Sequence, residues 1–103
     1  MNHKMEALIK RRRSQMLVHS YLYYWMYQNI VSDHQFDTWA VELRELQADF
    51  PEPIGFYDEV FADWKGETGM HLPRDHWIQD KALRLAREHE YRISQEIRPN
   101  ERS

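Results

Sequence analysis

Five side chains in this sequence are of types that together make a small-molecule site: Tyr23, Tyr24, Asp33, Phe36 and Asp37. Aromatic faces stack on flat rings, and carboxylates accept hydrogen bonds from amides and hydroxyls. Asp33 and Asp37 are one helical turn apart, so on a helix they share a face. As a general acid and base they would need a cleft that buries one of them and shifts its pKa. The simpler expectation is that Asp33 complements a helix dipole and Asp37 faces water.

Two helices must position these groups. Residues 2–27 read as one long helix, with Met5, Ile9, Met16, Tyr23 and Met26 on one stripe and Leu8 beside it. Its first half is polar on most sides, and its first two turns are expected to project or fray. Residues 16–27 are apolar nearly all round, which marks a helix buried on several faces. The run Lys10-Arg11-Arg12-Arg13 is an anchor for phosphate or an acidic partner, or a solvated face; the second is preferred for so short a run. His19, on the apolar part, reads as a core histidine. The chain breaks at residues 28–31. Ser32 then caps a second helix, and Gln35 three residues on completes a capping box. Phe36, Trp39, Ala40, Leu43, Leu46, Gln47 and Phe50 follow at helical spacing until Pro51 stops the helix. Trp39 and Leu43 are its expected core anchors. Tyr23 and Tyr24, late in the first helix, are thereby brought toward Asp33, Phe36 and Asp37 at the start of the second.

This stretch, residues 17–51, resembles the N-terminal nicotinamide-binding subdomain of bacterial-type NAD-dependent DNA ligases. There a Tyr–His or Tyr–Tyr pair precedes an S/P-D-x-x-Y-D motif, an L-x-x-E-L-x-x-L-E run and a proline. Here the pair is Tyr23-Tyr24 and the motif is Ser32-Asp33-His34-Gln35-Phe36-Asp37. Residues 39–47 (WAVELRELQ) form the run, and Pro51 closes it. The resemblance implies a ligand shell for nicotinamide mononucleotide made of Tyr23, Asp33, Phe36 and Asp37, with Tyr24 at the second position of the pair. Phe36 departs from the family's Tyr and lacks its hydroxyl, and the segment after Pro51 does not follow the ligase pattern. Ligase adenylation also needs a K-x-D-G lysine. The lysines are Lys4, Lys10, Lys65 and Lys81, and none is followed by x-Asp-Gly. The chain alone is therefore not expected to be an enzyme. A small ligase-related chain of this kind suits a phage origin.

The rest of the sequence is read as support. At 103 residues there is room for one helical domain, taken as residues 1–98, with a disordered polar tail at 99–103. Zero cysteines remove disulfides and thiolate chemistry and fit a reducing cytoplasm. The formal charge of −3 hides a segregation: residues 33–67 carry ten acidic and two basic side chains, a poor nucleic-acid surface. No signal peptide is visible, and the most apolar run is too short to span a bilayer. Residues 56–64 carry Phe56, Val60, Phe61 and Trp64 at the spacing of a short third helix. The glycines of Lys65-Gly66-Glu67-Thr68-Gly69 hint at a phosphate cradle but lack the P-loop ending, and an ordinary loop is preferred. Pro73-Arg74-Asp75 opens a last helix whose stripe is Trp77, Ile78, Ala82, Leu85, Ala86, His89 and Ile93, ending near residue 97. There is no H-E-x-x-H zinc pattern and no nucleophile elbow, and no metal or required cofactor is expected.

The expected fold is all-α: a helical hairpin, a short helix and a long C-terminal helix around an aromatic core. Three functional readings follow. The chain is a stand-alone module that binds nicotinamide mononucleotide, NAD or a like pyridine nucleotide. Alternatively, it is a regulatory module whose aromatics anchor a protein partner, or a detached subunit of a split ligase. Oligomeric state is left open.

Overall fold

The computed structural model describes residues 3–66 and 69–101, with backbone alone for 97–101. It is all-α, with three helices, α1 (His3–Trp25), α2 (Asp33–Asp49) and α3 (His76–Glu101), and no strand among the described residues.

The boundary of α1 is set by Tyr27. Its φ of 55° turns the chain out of the helix. The Gln28 N–H then reaches back to the Leu22 carbonyl at 2.8 Å, satisfying one of the last open acceptors. The chain reverses over residues 26–32, and Ser32 starts α2 as the capping pattern requires: its Oγ accepts the Gln35 N–H at 3.0 Å. Contacts between the two helices show that they run antiparallel. Arg12 pairs with Glu42 and Arg13 bonds Gln47, whereas His19, further along α1, packs on Trp39, so numbers fall along α2 as they rise along α1.

α1 lies between the other two helices. It packs against both α2 and α3, which make no close approach to each other among the described residues. This explains why Met16, Leu17, Val18 and Leu22 are all buried although they point in several directions. The core is completed by Ile9, Ala40, Leu43, Phe61, Trp64, Leu72, Ile78, Ala82 and Ala86.

Four expectations need correction. The core is aliphatic at its centre; Phe61 and Trp64 are its two buried aromatics, and Tyr21, Phe36, Trp39, Phe50, Phe56 and Tyr57 form a half-buried shell around it. The polar tips of Tyr21, Trp39 and Tyr57 suit a place where one side meets water. The short third helix does not form. Residues 56–64 are a succession of turns, with Tyr57 at φ 55° and Gly55 at φ 77°. Two left-handed residues so close together prevent a helical nucleus, whatever the apolar spacing. The start of α1 does not simply project, because Ile9 is fully buried. Nor does the last helix stop near residue 97: its helical backbone runs through Glu101, past Pro99. Arg102 and Ser103 lie outside the described residues.

The segment between α2 and α3 is held by polar bonds that cross the fold. Arg13 is buried on α1 and donates to Gln47 Oε1 (2.9 Å), the Phe56 carbonyl (2.6 Å) and Asp58 Oδ1 (2.9 Å). Gln47 in turn donates to the Phe61 carbonyl at 3.0 Å. Asp58 also accepts the Ile54 and Gly55 N–H groups at 3.0 and 2.8 Å. The basic run is therefore no simple solvated face: Arg13 is interior, and Arg12 leans on Glu42. Trp64 donates its indole N–H to the Ala40 carbonyl at 2.9 Å. At the start of α3, Trp77 donates to the Tyr57 hydroxyl at 2.7 Å, and that hydroxyl donates to Asp75. Arg74 lies 3.9 Å above the Trp25 ring. Gly69 sits where a Cβ would meet Ser20 Oγ at 2.0 Å, so the chain passes directly over α1 there.

Candidate functional site

The helix reversal leaves a cavity. The last two turns of α1 supply His19, Tyr23 and Tyr24, the connection supplies Gln28, Asn29, Ile30 and Val31, and the first turns of α2 supply Asp33, Phe36 and Asp37. Gly66 closes one side. Its φ of 81° is a left-handed conformation that glycine adopts without strain, and the residue lies beside the Ala40 backbone. The volume is about 330 Å³, at the lower end of small-ligand sites.

All five side chains singled out in the sequence line this one space. The Tyr23 and Tyr24 rings meet edge to face at 4.8 Å and 88°. Tyr23 is 47% exposed, so part of its surface is open to solvent. Phe36 is half-buried and rests on the core. Asp33 and Asp37 are exposed at the rim. Neither is buried as an acid–base pair requires, so their arrangement suits hydrogen-bond acceptance rather than proton transfer.

His19 stands at the inner end, half-buried, with its ring 5.2 Å from that of Trp39. Burial holds its pKa below the usual 6.5, so the imidazole is neutral at pH 7. A neutral imidazole offers one donor and one acceptor. Reading it as a core histidine missed its place in the cavity. The signal was its position four residues before Tyr23, on the same helix face. The residues 28–31 and Gly66 carried no comparable signal, because loop residues acquire their place only when the hairpin closes. Of the loop read as a phosphate cradle, Gly66 reaches the cavity edge and Gly69 packs on Ser20. Glu67 and Thr68 lie outside the described residues. No group of three His, Asp or Glu side chains among the described residues is placed to hold a metal ion, and no described helix is long and apolar enough to cross a membrane.

Fold and site together define a three-helix protein with an aromatic-walled, carboxylate-rimmed cavity at a helix reversal. The chain matches no protein-family model, no curated protein and no solved structure.

Proposed function

We propose that this chain is a binding module for nicotinamide mononucleotide, NAD or a related pyridine nucleotide, with no ligase chemistry of its own. The observation that supports this is the convergence of Tyr23, Tyr24, Asp33, Phe36 and Asp37, from two helices, on one cavity. A pyridine ring stacks on Tyr23 or on Phe36. The carboxylates accept from carboxamide or ribose donors, and His19 offers both a donor and an acceptor deeper in. The missing hydroxyl of Phe36 removes one bond, worth about 1 kcal/mol, so binding is weaker than in a site with tyrosine there. Isothermal calorimetry with nicotinamide mononucleotide and NAD tests the reading. Asp33→Asn and Tyr23→Ala each weaken binding while circular dichroism stays unchanged. Absence of heat at millimolar concentration for nicotinamide mononucleotide, NAD and nicotinamide riboside alike refutes it.

A second reading has its own support. Trp25 and Tyr27 are 44% and 88% exposed beside the cavity, and exposed aromatics of this kind anchor protein partners. Such a partner includes the nucleotidyltransferase chain of a split ligase. Trp25→Ala and Tyr27→Ala leave nucleotide binding intact under the first reading and abolish partner capture under the second.

A further inference from the structure

The charges around the cavity are one-sided. Its described lining includes two carboxylates, Asp33 and Asp37, and neither lysine nor arginine. The nearest arginines of α1 are engaged elsewhere, Arg12 with Glu42 and Arg13 with Asp58. One feature opposes this: the N-terminus of α2 opens on the same space, and a helix N-terminus carries roughly half a positive charge. Two full carboxylates outweigh it, and the Ser32 Oγ already takes the Gln35 N–H there. The surrounding sequence has the same sign, since residues 33–67 hold ten acidic and two basic side chains. Its summed field favours cations at the mouth. The walls carry three rings, Tyr23, Tyr24 and Phe36, whose faces attract positive charge.

We infer that the cavity selects a cationic ring, an oxidised N-substituted pyridinium at the nucleoside level, and leaves any phosphate outside in solvent. This rests on the pyridine-nucleotide reading above and sharpens it. The positive ring is attracted by the aromatic faces and by both carboxylates. A phosphate brings about two negative charges into the same field, and no described lining residue is basic; the nearest lysine in the chain, Lys65, is exposed next to Gly66 and outside the lining. Reduction of the ring removes its charge while keeping its size and carboxamide.

Calorimetry on the full chain separates the terms with three probes: nicotinamide riboside, nicotinamide mononucleotide and the reduced riboside. The oxidised riboside binds at least tenfold more tightly than either of the others. Its advantage over the mononucleotide narrows when ionic strength is raised from about 0.02 to 0.5 M, because the repulsion is screened. Asp37→Asn, at an exposed position, weakens riboside binding at least threefold and weakens the mononucleotide less, because it also relieves repulsion of the phosphate. A mononucleotide that binds as tightly as the riboside, or a reduced ring that binds as tightly as the oxidised one, overturns the cation selection while the pyridine-nucleotide reading stands. No binding by any of the three overturns both.

Discussion

Replacing Arg13 by methionine tests the polar hub beneath the loop that follows α2. Arg13 is 5% exposed, and its guanidinium makes three hydrogen bonds that join α1 to α2 and to residues 56–58. Methionine replaces only the aliphatic stem as far as about Nε; it removes the guanidinium that lies 5.7 Å from the Phe61 ring centre and donates nothing. Removing one partner of a buried ion pair costs about 3–5 kcal/mol. Asp58 is partly exposed and keeps two backbone donors, so water and those bonds bring its share toward about 3 kcal/mol. Both of the other bonds are only part-buried, so the Phe56 carbonyl and Gln47 Oε1 lose a donor at a cost of about 1 kcal/mol together. The expected total is about 4 kcal/mol, a large part of the stability of a small domain. In urea, with a slope of about 2 kcal/mol/M, the midpoint falls by about 2 M. Tryptophan fluorescence follows the transition. Adding Asp58→Asn to Arg13→Met costs less than the two single losses combined, because the charge left without its partner is gone. A loss below about 1 kcal/mol for Arg13→Met, or full additivity, refutes the assignment of these bonds as the clamp.

Three further outcomes are expected. Leu43→Ala, at a position with no exposure, lowers stability by about 2–5 kcal/mol in chemical denaturation. Gly69→Ala places a Cβ against Ser20 Oγ and costs about 1–3 kcal/mol, and Ser20→Ala in the same chain recovers part of it, as thermal melts will show. Two groups make stability fall with acid. Burial lowers the His19 pKa, so the unfolded chain takes up its proton first; stability is full above pH 6.5 and declines as the pH drops through the folded value, and His19→Gln flattens that step in urea titrations. For Asp58, burial pushes the carboxyl up, but the bonds from Ile54, Arg13 and Gly55 and the charge of Arg13 win. Its contribution is present above pH 3.8 and is lost as the pH falls through its lowered folded value.

What could be read from the sequence was local. The cap at Ser32 and the stop at Pro51 placed α2 to within a residue, because both act through neighbouring backbone groups. The ten-residue step from Tyr23 to Asp33 was enough to bring their helix ends together. Residues 56–64 misled, because apolar spacing reports which side chains want burial and does not register a left-handed Tyr57. Arg13 was hidden for a related reason. Nothing near it in the chain announces Asp58, 45 residues on, and a basic run reads as solvent-facing until its partner is known. His19 was assigned by its apolar neighbours, whereas its role depends on the empty space beside it.

That α2 and α3 share α1 without touching each other has a kinetic consequence. The connection over residues 26–32 is short, while that over 50–75 is roughly three to four times longer, which adds about 1 kcal/mol to the entropy of closure. The α1–α2 hairpin is therefore the earlier of the two pairings to close, and the docking of α3 is the later and more easily reversed step. No described residue of α3 lines the cavity. Undocking of α3 is thus a partial opening that a bound ligand neither resists nor drives. In hydrogen exchange, ligand slows the amides around residues 19–37 and leaves those of α3 at their own rate.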